Sequence, residues 1–323
     1  MTDDTRDARA FPALALMERT CPPLRFGHEP VWNIPDAVTD PYVPVWHWHA
    51  IRDFVPGSEV LTLETVGGLL DGIAEASIAH TELQHYGPWA GHPEPWGMPP
   101  GYYRITVPRW VFTGTIVSPL GDSARLETED AVWVLAPTLQ LLLELSAKGY
   151  LSGFQILDSY VSFVTTSFRT WSAKLRAERF QRLGYVDAAH HQEETRPAGC
   201  TCAMCRRYAA FTAGYTGALR KLETGTGATH RPDWAHTVYA TYAARQWRKA
   251  WAYTFTGMPL VSMGHVDELQ VLTEDLMAVM RLPKKPVHVD LVGIHVGALQ
   301  IKHAGHLVDE APAGISLAKD GDA

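Results

Sequence analysis

The sequence has no long apolar run, no apolar leader and no excess of positive charge, and each absence excludes a class of protein. No stretch reaches about 18 consecutive apolar residues, so we expect no membrane-spanning helix. Residues 1–7 are acidic and contain no apolar signal-peptide core, so we expect a cytoplasmic protein. The net charge of −7 argues against a uniformly basic nucleic-acid-binding surface but leaves room for a local basic groove.

The short motifs of three common enzyme classes are also absent. The sequence contains no Gly-x-Gly-x-x-Gly, no Walker A motif and no Gly-x-Ser-x-Gly, and it shows no internal repeat or low-complexity tract. With 46% hydrophobic and 20% charged residues, the 323-residue chain is a globular protein with one large or two modest domains.

The most informative stretch that is present is 260–272. Two alternating runs flank a polar tip that contains Asp267 and Glu268, a pattern that predicts a β-hairpin. Acidic residues at such a tip are presented to solvent. An earlier run, 60–64, predicts a strand that ends in a lone carboxylate, Glu64, and is followed by two glycines.

The remaining pattern predicts a mixture of strands and helices. Thr138 has the character of a helix N-cap and Gly149 that of a C-terminal stop. The run 46–49 predicts a strand whose two histidines either ligate a metal or pack at the surface, and packing is the favoured alternative. Strands are predicted at 102–107, 111–117, 131–135, 156–160 and 287–292, and helices at 69–78, 139–148, 162–182, 207–222, 232–253 and 274–280.

Three of the four cysteines form the pattern Cys200-x-Cys202-x-x-Cys205, and His230 follows twenty-five residues later. Thiolates this close converge on one ion, and a histidine completes the tetrahedral set that structural Zn²⁺ prefers. The fourth ligand is His230, or His190 or His191 in the preceding loop. The alternative is three reduced thiols without a metal.

The Cys-x-Cys-x-x-Cys spacing with a later histidine resembles the zinc site of the tRNA-guanine transglycosylases. The resemblance covers about 30 residues, and it implies a β/α barrel and base exchange at guanine in nucleic acid. The Asp-Ser-Gly-Gly-Phe-Gln motif of that family is absent; Gly153-Phe154-Gln155 is the nearest fragment. This resemblance gives our second interpretation of the protein, a zinc-containing base-exchange enzyme that acts on guanine in nucleic acid.

A longer resemblance lies in the order of elements from residue 58 to 305. A strand with an acid, Gly-Gly, a Pro-rich loop, two helices and an acidic hairpin follow one another as in the palm and fingers of a family B DNA polymerase. The resemblance implies that the strand acid and the hairpin acids hold two Mg²⁺ ions, which activate a primer 3′-hydroxyl and bind a triphosphate.

Position by position, the family motifs are altered. The metal-binding Asp of the strand motif falls on Glu64, the first Asp of the hairpin motif falls on His265, and only the second is kept, as Asp267. The fingers motif keeps only Tyr215. Replacing a carboxylate by imidazole weakens a Mg²⁺ site, so we expect impaired catalysis; any surviving activity would be that of a metal-dependent nucleotidyltransferase.

Basic residues accompany these elements and are candidates for binding phosphates. Tryptophans interleave with them at 234, 247 and 251, a pattern that suits a strand-binding groove. The alternative, which we expect for at least two of the three, is that they are core residues at helical spacing. The candidate nucleic-acid-binding residues are Arg176, Arg179, Arg207, Arg245, Arg248 and Lys249.

Together these patterns predict an α+β protein with an antiparallel palm-like sheet, helical fingers and a zinc-stapled loop. We expect a nucleic-acid-binding, catalytically impaired relative of family B polymerases that binds DNA and acts in replication or end maintenance of a mobile or linear replicon, beside other replication or mobile-element proteins. A structural protein of a phage or mobile element is a third interpretation. The predicted divisions are an irregular arm at 1–57, a palm-like domain at 58–160 and 231–309, fingers at 161–230 and a disordered tail at 310–323.

Overall fold

A computed structural model describes the elements of the chain and most of the segment between residues 69 and 255. The described residues are 25–26, 48–49, 59–65, 69–88, 97–113, 116, 118–121, 129–178, 203–225, 230–255, 260–263, 268–272, 287–290, 293–296, 299–307 and 317–318.

Fifteen strands and five helices lie within these ranges. The strands are β1 (Arg25–Phe26), β2 (Trp48–His49), β3 (Glu59–Thr65), β4 (Ser77–Ala79), β5 (Glu82–His85), β6 (Gly101–Thr106), β7 (Ala131–Leu135), β8 (Ile156–Val161), β9 (Thr165–Ser167), β10 (Leu260–Met263), β11 (Glu268–Leu272), β12 (Val287–Asp290), β13 (Gly293–Val296), β14 (Leu299–Leu307) and β15 (Leu317–Ala318). The helices are α1 (Leu69–Glu75), α2 (Ala136–Ala147), α3 (169–178), α4 (Ala203–Thr224) and α5 (Pro232–Phe255).

The strands form two larger sheets and a small two-stranded one. The first has the order β12-β13-β14-β3-β11-β10-β2, with β15 added on β14, and its neighbouring strands are antiparallel. The second has the order β1-β5-β8-β6-β7 and is antiparallel except for the β1–β5 pair. Strands β4 and β9 pair separately.

Helix α5 lies at the centre of the described fold. Its C-terminal half packs with α2 against one face of the five-stranded sheet, where Tyr103, Val134 and Trp247 are buried. Its middle covers the opposite face through Ala240, which packs with Tyr102. A helix buried on several sides needs small residues, and α5 supplies five buried alanines: Ala235, Ala240, Ala243, Ala244 and Ala250.

The N-terminal half of α5 forms a second core with the other helices. Helices α1, α3 and α4 contribute Ile73, Leu175 and Leu219, which are fully buried against Val238 of α5. This helical layer continues directly from β3 through α1, so it is tied to the eight-stranded sheet by three residues of chain.

Helix α2 ends where the sequence predicts, but its N-cap differs from the predicted one. The helix stops at Gly149, whose φ of 76° permits the backbone N–H of Tyr150 to donate to the carbonyl of Leu145. The predicted cap at the other end is wrong, because Leu135 is the N-cap and makes no side-chain capping bond, while Thr138 is buried inside the helix.

The hairpin and the acid-bearing strand are confirmed. Strands β10 and β11 pair antiparallel, and β11 pairs in turn with β3. The helices predicted at 207–222 and 232–253 correspond to α4 and α5. The run 46–49 is confirmed as a strand at Trp48–His49, which pairs with β10 at the edge of the sheet.

Three predicted elements differ from the structure. The helix predicted at 162–182 begins only at residue 169, because Thr165–Ser167 forms strand β9 against β4. The helix predicted at 69–78 ends at Glu75 for the same reason, since Ser77–Ala79 is the partner strand. Residues 111–113, predicted as part of a strand, lie in none, and the helix predicted at 274–280 lies outside the described residues.

The predicted fold class is confirmed: a mixed protein of helices and antiparallel sheets. None of the helices in the described ranges is both long enough and apolar enough to cross a membrane.

Candidate nucleic-acid interface

Strand β3 lies inside the eight-stranded sheet and brings Glu64 beside the hairpin. The Cα partner of Glu64 on one side is Glu268, the first residue of β11, and on the other side it is Gln300 of β14. Directly opposite residues of antiparallel strands have Cα atoms about 5 Å apart. The structure thus aligns Glu64 with the residue that follows Asp267.

The other two hairpin candidates, His265 and Asp267, lie outside the described residues. Glu268 was not among the predicted site residues, although it belongs to the acidic tip. The signal that could have identified it is the alternation of Leu269 and Val271, which sets the register of β11 against β3.

Four charged side chains join α1, α3 and α5, and we name them the Asp71 cluster: Asp71, Glu75, Arg176 and Arg245. Arg176 of α3 donates to Oδ1 of Asp71. Arg245 of α5 lies with Nη2 3.2 Å from Oδ2 of the same carboxylate, and its Nη1 donates to Glu75. Asp71 therefore bridges two of the predicted nucleic-acid-binding arginines.

The other predicted basic residues lie in several places. Arg248 forms a two-pronged ion pair with Glu144 of α2, with donor to acceptor distances of 3.1 and 2.8 Å. Lys249 is half-buried on α5. Arg207 lies in the N-terminal part of α4, and Arg179 falls just beyond the described residues of α3. These assignments stay predictions.

The tryptophans that interleave with basic residues belong to the core. Trp234 and Trp247 are 4% and 3% exposed, and Trp251 packs partly buried against the ring of Trp247, with centroids 5.1 Å apart. The expectation that at least two of the three are core residues is confirmed, and the two buried rings are covered by neighbouring side chains.

The connection between α4 and α5 is fixed by a buried arginine that sequence analysis did not single out. Arg231 is 0% exposed, and its guanidinium donates to both carboxylate oxygens of Asp233 at 2.9 and 2.7 Å and to the carbonyls of Ala79 and His80 at 2.8 Å each. Its Cζ also lies 4.0 Å from the centroid of the Trp234 ring. The α4–α5 elbow is therefore locked to the β4–β5 turn.

A chain of three polar groups lies beside this elbow. The Tyr102 hydroxyl is 3.1 Å from Nδ1 of His236, and Nε2 of His236 is 3.5 Å from a carboxylate oxygen of Glu223 at the end of α4. The hydrogen bond with His236 lowers the pKa of the Glu223 carboxyl, whereas burial raises the pKa of the Tyr102 phenol well above its ordinary value. Burial, followed by the Glu223 charge, raises the pKa of Tyr239 to about 12.

Helix α4 separates two of the predicted zinc ligands. Cys205 lies near its N-terminus, whereas His230 precedes Arg231, whose N–H donates to the carbonyl of Leu222 near the C-terminus of the helix. The seventeen residues from Cys205 to Leu222 span about 26 Å of helix. Since zinc ligands lie about 2 Å from the metal, the length of α4 argues against a site that contains both Cys205 and His230, and the assignment of His230 stays a prediction.

The rest of the zinc prediction lies outside the described residues. The predicted ligands outside these ranges are Cys200, Cys202, His190 and His191. Within the described ranges, no three His, Cys, Asp or Glu side chains are grouped closely enough to hold a metal ion. A cysteine site with His190 or His191 as fourth ligand stays a prediction.

The transglycosylase interpretation is wrong at the level of the fold. It requires a closed barrel of parallel strands, each followed by a helix. The described strands instead form open sheets whose neighbours are antiparallel, apart from β1 and β5.

The sequence matches no family model and no curated protein sequence. Its fold does match solved structures of Phi29 DNA polymerase, a family B polymerase. The complex with primer-template DNA aligns with a TM-score of 0.56 and 10% identity over 100% of this chain and 58% of the polymerase. The complex with primer-template DNA and incoming nucleotides aligns with a TM-score of 0.56 and 11% identity over 99% of this chain and 60% of the polymerase.

The polymerase complexed with single-stranded DNA gives a TM-score of 0.56 at 10% identity, over 99% of this chain and 57% of the other. The chain thus spans about three-fifths of the polymerase chains that it matches. At this level of identity the similarity shows a polymerase-like fold.

Proposed function

We propose that this protein binds DNA through a palm-and-fingers fold of the family B polymerase type and is impaired in nucleotide addition. The observation that carries the proposal is the register of β3 with the hairpin, in which Glu64 lies opposite Glu268. The alignment of essentially the whole chain with a polymerase solved on primer-template DNA supports it. We assign the palm to residues 58–160 and 231–309 and the fingers to 161–230.

The expected impairment follows from the donor set at the hairpin. Mg²⁺ prefers oxygen ligands in an octahedral arrangement, and polymerase chemistry uses two such ions between carboxylates. Here Glu64 and Asp267 would supply two carboxylates, but the third position is occupied by His265, whose imidazole is a poor ligand for Mg²⁺. The residues therefore do not fit a complete two-metal site.

DNA binding is tested with a labelled primer-template in a filter-binding assay at 50 and 200 mM salt. Contacts with backbone phosphates release counterions, so four contacts would weaken binding by about a hundredfold over this range. An Arg176→Ala, Arg245→Ala double variant should bind more weakly, whereas Lys148→Ala, which removes an exposed cation at the end of α2, should bind as the wild type does. No binding, or binding without salt dependence, contradicts the proposal.

Impairment is tested by primer extension with deoxynucleotides and Mg²⁺. The wild-type protein should extend the primer at least about a hundredfold more slowly than an active polymerase, since each lost transition-state interaction of a few kcal/mol is worth that much. His265→Asp should raise the extension rate, and Asp267→Asn should abolish what remains. Rapid extension by the wild type would contradict impairment while leaving DNA binding intact.

On this proposal the protein acts in the cytoplasm in replication or end maintenance of a mobile or linear replicon, alone or beside an active polymerase. A competition experiment addresses this role. The protein should protect a primer end from extension by an added active polymerase, and doubling the salt should relieve that protection.

A further inference from the structure

The Asp71 cluster has a geometry that ordinary surface ion pairs lack. Two guanidinium groups from different helices, Arg176 of α3 and Arg245 of α5, contact the two oxygens of one carboxylate, Asp71 of α1. A carboxylate that bridges two guanidiniums in this way holds them at the separation at which one phosphate group can bind both, through two of its oxygens.

The exposure of the four side chains shows which of them a ligand can reach. The Asp71 side chain is 17% exposed, whereas Arg176 is 49%, Arg245 is 28% and Glu75 is 55% exposed. The two cations therefore face solvent more than the carboxylate that joins them. Exposed ion pairs of this kind are weak, so exchange of one anion for another is energetically easy.

The cluster also lies close, along the chain, to the end of β3 that carries Glu64. Three residues separate the end of β3 from the start of helix α1, and Asp71 is seven positions beyond Glu64. That end of β3 is the one paired with the first residue of β11, beside the hairpin turn. A phosphate held by Arg176 and Arg245 would thus bind beside the helix that directly follows the acid-bearing strand.

We propose that Arg176 and Arg245 form a phosphate-binding pair and that Asp71 occupies it in the free protein as an internal competitor. A phosphate of a nucleic acid backbone or of a nucleotide would displace Asp71 and link α3 to α5 in its place. The inference rests on the proposed function, because it assigns phosphate recognition to the junction of palm and fingers. It adds that Asp71 lowers the affinity for phosphate.

The test compares Asp71→Asn with Asp158→Asn, a matched control. Both changes remove one negative charge from a carboxylate in an ion pair, but Asp158 pairs with His85 on the five-stranded sheet. The two probes are primer-template DNA and inorganic tripolyphosphate. Asp71→Asn should bind both about three- to tenfold more tightly, and the slope of log affinity against log salt for DNA should steepen by about one to two. Asp158→Asn should match the wild type.

Equal or weaker binding by a folded Asp71→Asn variant overturns the inference. If that variant does not fold, Glu75→Gln removes the second anion that pairs with Arg245 while Asp71 stays in place, and an increase of about twofold for both probes is expected; no increase overturns the inference. Tighter tripolyphosphate binding without any DNA binding by either protein supports the phosphate pair and contradicts the proposed function. If both proteins bind DNA with equal affinity and equal salt slope, the proposed function is supported and the phosphate pair is contradicted.

Discussion

The Tyr102 hydroxyl lies 3.1 Å from Nδ1 of His236, although the two residues are 134 positions apart and both are buried. His236 in turn faces Glu223, so one polar chain crosses from β6 through α5 to the end of α4. The five-stranded sheet and the helical layer are joined at this point by a hydrogen-bonded link as well as by apolar packing.

The Glu223 contact should make stability depend on pH in the acidic range. Its pKa is lowered below the ordinary 4.5, mainly by the hydrogen bond with His236, so the folded state favours the ionised carboxylate. This contribution is complete above the unfolded-state pKa and is lost as pH falls through the folded-state value. Glu223→Gln should lower the free energy of unfolding at pH 7 by up to about 1 kcal/mol, because the carboxylate is partly exposed.

Urea unfolding at pH 7 and at several values between 5 and 3 measures this effect. The difference between Glu223→Gln and the wild type should shrink towards zero at the acidic end. A difference that stays constant across the series would mean that Glu223 acts through packing and that its charge contributes nothing.

Arg231 should be one of the most sensitive positions in the chain. Its removal leaves Asp233 and the carbonyls of Ala79 and His80 without their donor in a buried site. Arg231→Met should lower the free energy of unfolding by about 3–5 kcal/mol. Arg231→Lys should recover little of this, because one ammonium cannot reproduce the planar fork.

Arg169→Lys, at an exposed position at the start of α3, is the control for that experiment. It should change the free energy of unfolding, measured by urea denaturation, by less than about 0.5 kcal/mol. A mild effect of Arg231→Met would contradict the locked elbow between α4 and α5.

Two helical glycines should respond in opposite ways to alanine. A Cβ at Gly72 of α1 would lie 2.7 Å from Cβ of Tyr242 and 3.3 Å from the carbonyl of Val238, so α1 could no longer approach α5 as it does. At Gly217 of α4 a Cβ meets nothing within 4 Å. Gly72→Ala should therefore destabilise by about 1–3 kcal/mol, and Gly217→Ala should stabilise by up to about 1 kcal/mol.

Thermal unfolding of both variants measures the difference. Gly72→Ala should also loosen the Asp71 cluster, because Asp71 is its neighbour on α1. Equal effects of the two substitutions would show that helix propensity, and not the close approach of α1 and α5, governs position 72.

The zinc prediction is tested by metal analysis of the purified protein. We expect about one zinc ion per chain, its loss in Cys202→Ser, and its retention in His230→Ala, because α4 separates His230 from Cys205. Loss of zinc in a double His190→Ala, His191→Ala variant would identify the fourth ligand. Zinc loss in His230→Ala alone would contradict the separation along α4.

The sequence was most informative where a periodic pattern extends over many residues. The long helices α4 and α5 and the hairpin could be predicted because each carries several turns or alternations of apolar residues. Strands β4 and β9 could not, since three residues each carry almost no periodicity and Thr165 also suits a helix end. Their pairing comes from tertiary contact.

Strand patterns also do not say which sheet a strand joins. The strands predicted at 102–107 and 131–135 correspond to β6 (Gly101–Thr106) and β7 (Ala131–Leu135), but their membership of a separate five-stranded sheet depends on tertiary pairing with β8 and on packing against α2 and α5. Burial of Arg231 was equally hidden, because an arginine before a proline is typical of an exposed loop. Its position is explained by the carbonyls of the β4–β5 turn together with Asp233 and Trp234.

The candidate site, too, could be predicted from the sequence only in part. The resemblance in element order placed Glu64 beside the hairpin, as the pairing of β3 with β11 shows, whereas the ion pairs of Arg176 and Arg245 depend on helix packing. The spacing of Cys205 and His230 did not reveal that most of an unbroken helix, α4, lies between the two residues.

That unbroken helix has a mechanical consequence. α4 has 22 residues, a rod of about 33 Å, and the backbone N–H of Arg231 donates to the carbonyl of Leu222 near its C-terminal end. A tilt of about 10° at that end would move the other end of the helix by about 6 Å, so small rearrangements around Arg231 would produce their largest displacement at the cysteine end. Helix α4 can in this sense act as a lever that turns about the α4–α5 elbow.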